Sequence, residues 1–164
     1  MKKLYLIGGT MGVGKTTVSR ILADMLPNCV FLDGDWCWDA HPFVVNDETK
    51  QMVMENICFM LGNFMRCRTY ENVVFCWVMD MQDTIDAILS SLPWDDYEIV
   101  NISLVCDSRE LKKRLYHDVD RGLREESVVG RSLNKLALYQ ALNTTKLDVT
   151  SLDPKKAASL IAEM

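Results

Sequence analysis

The chain has 164 residues, a length that suits one domain built around one hydrophobic core. Hydrophobic residues make up 49% and charged residues 25%, a balance that excludes disorder and a collagen-like structure for most of the length. The net charge of −5 argues against a nucleic-acid-binding surface. No apolar run approaches the roughly 20 residues of a membrane helix, so we expect a cytoplasmic protein with neither nucleic acid nor membrane as a partner.

The cysteines offer neither a metal-site pattern nor a disulfide pattern. No two of them form a C-x-x-C pair, and the apolar run near the start, residues 4–7, is too short for a secretory signal. We expect free, buried thiols at all six positions, which are Cys29, Cys37, Cys58, Cys67, Cys76 and Cys106.

Short apolar runs alternate with helical patterns in the first half of the chain. Pro27 ends the first helical pattern, and Val53, Ile57, Leu61 and Phe64 form the apolar stripe of the second. The predicted strands of this half cover residues 4–7, 29–32 and 72–78, and the predicted helices cover 16–26, 47–68 and 82–91.

The alternation continues in the second half. Asp107 and Glu110 form a capping-box pattern that opens a helix to about residue 118, and Asp153 with Pro154 opens the last helix. Five apolar strands alternating with helices predict a parallel sheet covered on both faces, an α/β fold. The predicted strands of this half cover residues 98–105 and, more weakly, 146–149.

A glycine-rich motif lies directly after the first predicted strand and opens the first helix. It matches G-x-x-x-x-G-K-[ST], in which glycines let backbone N–H groups turn toward a phosphate at the positive end of a helix. Lys15 is expected to reach the β- and γ-phosphates, and the Thr16 hydroxyl to bind Mg²⁺. The nucleotide-binding residues predicted from the motif are Gly9, Thr10, Met11, Gly12, Val13, Gly14, Lys15, Thr16 and Thr17.

Over nearly its whole length the sequence resembles the small P-loop kinases, which include shikimate, gluconate and nucleoside monophosphate kinases and antibiotic phosphotransferases. The resemblance implies a three-layer P-loop fold with strand order 2-3-1-4-5, one domain over residues 1–164 and a short lid at about 115–130. It also implies ATP and Mg²⁺ as cofactors. The sequence lacks the guanine-reading N-K-x-D motif of GTPases and the L-S-G-G-Q motif of transporter ATPases.

An acidic pair follows the second strand, where the resembled kinases commonly carry D-x-D. The resemblance implies that Asp33 helps to hold Mg²⁺ through water and that Asp35 contacts the acceptor hydroxyl. Chemistry agrees, because an aspartate at the carboxyl end of a strand faces the ligand crevice, and an attacking hydroxyl needs a carboxylate to take its proton. The alternative is an ordinary Asp-Gly turn.

Five of the eight arginines lie between residues 109 and 131, where the resembled kinases carry an arginine-bearing lid. The shikimate kinase pattern implies that Arg114 stacks on adenine and that Arg121 contacts the transferring phosphate, with Arg124 and Arg131 as alternatives. The R-x-x-G-x-x-R-P-L signature of the shikimate lid is absent, and a solvated helix face is the competing interpretation.

Aromatic residues gather where the acceptor should bind. We predict Trp36, Trp38, Phe43 and Trp77 as acceptor contacts, although they could instead be core residues. Asp80 ends the third strand as either a Walker-B-like carboxylate or a helix cap.

Basic residues are scarce in the same region. Between residues 36 and 65 the only one besides His41 is Lys50, which disfavours shikimate and nucleoside monophosphates as acceptors. A neutral acceptor fits better, such as a nucleoside, a sugar or an antibiotic-like molecule. Gluconate would require Lys50 or a lid arginine to take its carboxylate.

The function that these features predict is ATP- and Mg²⁺-dependent phosphoryl transfer to a small-molecule acceptor by a monomer or homodimer. Two alternatives remain. One is a regulatory protein that binds nucleotide and hydrolyses it slowly or not at all, and the other is an ATP hydrolase working within a larger assembly.

Overall fold

In the computed structural model, which describes residues 1–93 and 95–164, the strands form one parallel sheet in the order β2-β3-β1-β4-β5. Both the α/β prediction and the strand order are therefore confirmed. The strands are β1 (Lys2–Gly8), β2 (Cys29–Asp33), β3 (Asn72–Cys76), β4 (Tyr97–Val105) and β5 (Thr145–Asp148).

The helices cover both faces of this sheet. A 3₁₀ helix (Gly34–Trp38) follows β2 and a second one (Leu136–Ala141) precedes β5. The predicted helices agree with the structure, but residues 127–141, for which no helix is predicted, form α5 and the second 3₁₀ helix. The α-helices are α1 (Lys15–Met25), α2 (Asp47–Arg66), α3 (Gln82–Ser90), α4 (Ser108–Asp120), α5 (Ser127–Lys135) and α6 (Pro154–Ala162).

Strand β1 lies in the middle of the sheet with both faces buried, which accounts for its uniformly apolar sequence. Tyr5 and Ile7 pack into a core shared with α1, α4, α5 and α6, while Leu4 and Leu6 pack into a second core shared with α2 and α3. All four side chains are at most 1% exposed. A parallel strand buried on both faces has no polar alternation, so the apolar run itself encodes the position of β1 in the middle of the sheet.

The carboxyl ends of the strands meet at one edge, where open parallel sheets bind ligands. The glycine-rich loop leaves this edge from β1, and the register places Ile7 beside Cys76 of β3. Asp33, the last residue of β2, also lies beside Cys76. The motif and the acidic pair, which are 17 or more residues apart in the chain, are thereby brought together.

The ends of the predicted lid, residues 115–130, belong to the core. Leu115 is fully buried, and Val128 and Val129 are 4% and 6% exposed. Within residues 115–130, the longest uninterrupted exposed stretch is 120–127, around the turn between α4 and α5. Any lid movement that spares the core is therefore confined to this turn, which is shorter than the predicted lid.

Helix α4 ends in a Schellman motif that reverses the chain at this turn. The Gly122 N–H donates to the Val119 carbonyl at 2.8 Å and the Leu123 N–H donates to the Asp118 carbonyl at 2.9 Å. Gly122 has a φ of +70°, in the left-handed region that glycine adopts without a Cβ penalty. The turn after α4 is thus directed back over the sheet edge.

The six cysteines carry free thiols, as predicted, although only half of them are buried and the others are half-buried. Among the residues that the structure describes, no helix is both long enough and apolar enough to cross a membrane.

Gly122→Ala should lower the free energy of unfolding by about 1 kcal/mol, because alanine is strained at positive φ. Gly130→Ala is the matched control: Gly130 is exposed within α5 with open space around its Cα, so alanine there should raise stability by about 0.5–1 kcal/mol. Urea unfolding followed by circular dichroism measures both. Equal effects of the two substitutions would contradict the Schellman assignment.

Candidate active site

The glycine-rich loop has the shape of an anion cradle. Gly9, Gly12 and Gly14 have φ values of +152°, +81° and +108°, and no atom lies within 4 Å of a Cβ placed on Gly14. Gly14 caps α1 without a side-chain hydrogen bond, and the first turn of α1 carries no acidic residue. The turn thus supplies no carboxylate of its own to its N–H groups, which fits a bound phosphate.

The loop is also packed too closely to change shape freely. A Cβ on Gly9 would meet the Leu104 carbonyl oxygen at 2.9 Å, and one on Gly12 would meet the Leu115 side chain at 2.4 Å. Strand β4 and helix α4 therefore support the loop from the core side.

Lys15 begins α1 and points back along the loop. Its Nζ donates to the Thr10 carbonyl oxygen at 3.0 Å. Burial of the ammonium lowers the pKa of Lys15 to about 8, against the opposing charges of Cys76, Asp35 and Asp33. At neutral pH the side chain is still mostly charged, as a phosphate-binding lysine must be.

Thr16 and Asp33 form the predicted metal pair. The Thr16 hydroxyl donates to Asp33 Oδ2 at 2.7 Å, and Asp33 Oδ1 accepts the Asp35 N–H at 3.1 Å. Hydroxyl and carboxylate oxygens suit Mg²⁺, which keeps waters and takes its other ligands from phosphates. Within residues 1–93 and 95–164, no three His, Cys, Asp or Glu side chains cluster to hold a metal by themselves. A magnesium ion shared with a nucleotide fits these residues.

Asp35 faces the cavity beside this pair. Desolvation by the surrounding protein raises the pKa of its carboxyl, the charge of Asp33 adds to the effect, and Lys15, Trp77 and Arg124 oppose it. A carboxylate with a raised pKa is a stronger base toward a nearby hydroxyl.

A cavity of about 280 Å³ lies over the loop and is continuous in its lining with an apolar recess of about 200 Å³. Arg114 lines both. Its guanidinium donates to the Val13 carbonyl at 3.1 Å, the Val149 carbonyl at 2.9 Å and Glu110 Oε1 at 2.9 Å. Arg114 thus joins the loop to the end of β5 at the place where the resemblance puts the adenine. The recess is lined by Val13, Gly14, Thr17, Val18, Arg114, Val149, Leu152, Pro154 and Ala157.

A larger cavity of about 410 Å³ opens on the other side of Lys15 and Thr16. The Trp38 and Phe43 rings pack against each other in its wall, with centroids 4.7 Å apart and planes inclined by 43°. The Trp77 ring lies so close to Gly34 that a Cβ there would meet it at 2.5 Å. We call this space the acceptor cavity, and its lining residues are Met11, Lys15, Thr16, Asp33, Asp35, Trp38, Phe43, Trp77, Val78, Arg124 and Lys135.

Trp36 does not line the acceptor cavity, contrary to the prediction. Its ring is 52% exposed and packs edge-on against Phe31, while the Arg20 guanidinium lies 5.3 Å from both ring centroids. The reason is the tight 3₁₀ helix after β2, which turns Trp36 and Trp38 in different directions. His41 and Lys50 are also absent from the cavity walls.

Among the arginines after β4, the structure brings Arg124 to the site in place of Arg121. Arg121 is exposed at the end of α4 and lines none of the three cavities, and the same holds for Arg131. Arg124 lines both the cavity over the loop and the acceptor cavity, and its Nε donates to Asp118 Oδ2 at 3.0 Å. The chain reversal at Gly122 places Arg124, and not Arg121, beside the two cavities.

The unpredicted helix α5 supplies another cavity residue. Lys135 lines the acceptor cavity and forms an ion pair with Asp80. Asp80 is not among the lining residues of the cavity, and it does not cap α3, whose N-cap is Met81. The apolar spacing of Val128, Val129, Leu133 and Leu136 is typical of a helix and is the signal that locates α5 in the sequence.

The loop, the lysine and the threonine–aspartate pair at the end of a central parallel strand define a P-loop protein. The AAA domain family matches residues 6–130, which is most of the chain, and the chain belongs to that family. No curated protein sequence matches it significantly.

Solved structures of small P-loop kinases share the fold over nearly the whole chain, which confirms the resemblance at the level of the fold. A gluconokinase from Sinorhizobium meliloti 1021 is similar with a TM-score of 0.70 and 18% identity, covering 99% of this chain and 92% of its own. The tunicamycin resistance protein of Deinococcus radiodurans gives 0.70 and 18%, covering 99% and 95%. Shikimate kinase from Acinetobacter baumannii, in complex with shikimate, gives 0.65 and 21%, covering 99% and 92%.

The lowered pKa of Lys15 predicts a pH dependence of stability. Because the pKa is about 8 in the folded protein and 10.5 in the unfolded chain, the unfolded chain binds more protons between these values. The contribution of Lys15 to the free energy of unfolding should therefore rise with pH from 8 to about 10.5. Denaturant unfolding of the wild type and of Lys15→Met isolates it, and a constant difference between them across this window would contradict the assignment.

Proposed function

We propose that the protein transfers the γ-phosphoryl group of ATP, with Mg²⁺, to a hydroxyl of a small molecule. The observation that carries the proposal is the meeting of two cavities at one place: Lys15, Thr16 and Arg124 line both the cavity over the loop and the acceptor cavity. A terminal phosphate held over the loop would stand at the mouth of the acceptor cavity. The kinase-like fold supports the same reaction.

In this proposal the nucleotide lies across the loop. The phosphates take the backbone N–H groups of the loop and of the first turn of α1, and the base takes the apolar recess beside Arg114. Thr16 and Asp33 would hold Mg²⁺, directly or through water. When bound, the ion supplies positive charge to the phosphate oxygens.

Asp35 is the proposed base. It would orient the acceptor hydroxyl and take its proton as the oxygen bonds to the γ-phosphorus and the bond from that phosphorus to the bridging oxygen of ADP breaks. Lys15 and Arg124 would stabilise the charge on the transferring group. Positioning and electrostatics thus account for most of the work of these residues.

The cavity walls favour a neutral, hydroxylated acceptor with a flat or apolar face. Trp38, Phe43 and Trp77 offer stacking surface. Lys135 lies outside residues 36–65, the region whose few basic residues predict a neutral acceptor. Its pairing with Asp80 balances its charge. An anionic group is therefore not needed to compensate it, and a sugar, nucleoside or antibiotic-like molecule remains the proposed class.

The acceptor cavity also favours transfer over the two alternatives. A regulatory protein or a simple ATP hydrolase needs a nucleotide site and a water, and has no use for a second concave site of about 410 Å³ with aromatic walls and a carboxylate of raised pKa.

The deciding experiment measures acceptor-dependent ADP release across a pool of sugars, nucleosides and neutral hydroxylated antibiotics. At least one compound should accelerate release by the wild type, and Lys15→Ala should abolish that acceleration.

Asp35→Asn should lower turnover by about 100-fold or more while ATP affinity stays nearly unchanged, and Asp33→Asn should instead weaken the Mg²⁺ dependence of nucleotide binding. Asp39→Asn, an exposed carboxylate outside the cavity walls, is the control and should behave as the wild type. The proposal would be contradicted if no compound accelerated ADP release. It would also be contradicted if Asp35→Asn lost ATP affinity and kept its turnover.

A matched pair of arginine variants tests the lid. Arg124→Ala should lower turnover about tenfold or more and change ATP affinity little, because its contact would form mainly in the closed, charge-developing state. Arg121→Ala, three residues earlier in the same exposed turn, should leave turnover unchanged. Hydrogen exchange should show residues 120–127 becoming protected when nucleotide and acceptor are both present. The opposite order of the two variants would restore Arg121 as the phosphate contact.

A further inference from the structure

A buried pair of hydroxyl groups joins α5 to the phosphate loop. Thr10 and Ser132, which are 122 residues apart in the chain, are both fully buried. The Ser132 Oγ donates to the Met11 carbonyl oxygen at 2.6 Å. The Thr10 Oγ1 lies 2.8 Å from Ser132 Oγ and 2.9 Å from the Ser132 carbonyl oxygen.

The protons of this pair can be assigned. A carbonyl oxygen only accepts, so the single proton of the Ser132 hydroxyl goes to Met11. The Thr10 hydroxyl donates to the Ser132 carbonyl oxygen, and its contact with Ser132 Oγ adds to the tie. Each hydroxyl is satisfied, and two successive residues of the loop are tied to one residue of α5.

The tie acts on the carbonyl that holds the proposed phosphate-binding lysine. The Lys15 ammonium rests on the Thr10 carbonyl oxygen at 3.0 Å, and Thr10 is the residue whose side chain Ser132 accepts from. Loss of the tie frees the Thr10 backbone and, with it, the resting place of the ammonium.

The same helix also reaches the acceptor cavity. Lys135, about one turn after Ser132, lines that cavity and pairs with Asp80. Farther on, the Tyr139 hydroxyl donates to the carbonyl of Val78, another cavity residue. Helix α5 and the 3₁₀ helix after it are therefore fixed to the loop at one end and to the acceptor wall at the other.

We propose that Ser132 is a positioning residue for the transfer: through Thr10 it fixes the place from which Lys15 reaches the terminal phosphate. The inference rests on the proposed function for its purpose, since it assigns a contact to the γ-phosphate. Ser132 itself lines neither the cavity over the loop nor the acceptor cavity, and it acts only through the loop residues that it contacts.

The test compares two probes, Mg²⁺–ADP and the Mg²⁺ complex of the non-hydrolysable analogue β,γ-imido-ATP, by calorimetric titration of the full chain. Ser132→Ala should weaken binding of the triphosphate analogue about tenfold and of ADP less than about threefold, because the displaced ammonium loses mainly the terminal phosphate. A merely structural serine would lower the melting temperature and affect both probes equally.

Two further variants complete the test. Ser103→Ala removes another buried serine hydroxyl, whose partner is Thr144 Oγ1 at 2.7 Å, and should leave the preference for the triphosphate intact. Thr10→Val breaks the same tie from the loop side at nearly constant volume, so it keeps the proposal testable if Ser132→Ala does not fold, and the same selective loss is expected. Equal losses for both probes in Ser132→Ala and Thr10→Val would overturn the proposal. Neither probe involves an acceptor, so a flat acceptor screen with a selective loss here would refute the transfer reaction and leave the role of Ser132 standing.

Discussion

The site depends on one constraint: several backbone N–H groups must converge on one point, and glycines with positive φ allow this without a Cβ penalty. The glycines of such a loop have no side chains with which to hold its shape. The surrounding protein supplies the rigidity, with Leu115 packed against Gly12, the Leu104 carbonyl against Gly9 and the Arg114 guanidinium on the Val13 carbonyl. The loop is therefore as rigid as the contacts that β4, α4 and α5 make with it.

Electrostatics constrains the neighbouring groups in the same way. Burial disfavours the charged forms of Lys15 and Asp35 and moves their pKa values toward each other. Each charge is stabilised by the other, by Asp33 for the lysine and by Arg124 for the aspartate. Bringing phosphates and a metal ion to this place changes all of these balances at once, which is why an ordered site can be assembled from groups that are individually unfavourable to bury.

The features that the sequence predicts well are those recorded in short, contiguous stretches. The buried run at residues 4–7, the motif at 9–16 and Asp33 directly after β2 need only local patterns, and the sheet order follows from the resemblance.

The features that the sequence does not predict depend on where the chain goes after a turn. Arg121 and Arg124 are the same residue type, three positions apart, so the sequence pattern does not distinguish them. The chain reversal at Gly122 decides which of them faces the cavity. Trp36 and Trp38 are separated by the 3₁₀ helix in the same manner. Lys135 is missed because no helix is predicted between the lid at 115–130 and the last strand, although the apolar spacing there indicates one.

The contact between Gly34 and the Trp77 ring has an evolutionary consequence. Gly34 sits between the two carboxylates of the acidic pair, so its backbone cannot shift without moving both of them. A side chain at residue 34 therefore requires a smaller residue at 77, and the two positions must change together. In related sequences, residues 34 and 77 should therefore vary together. A new range of acceptors would arise more readily by a double substitution at these two positions than by either single one.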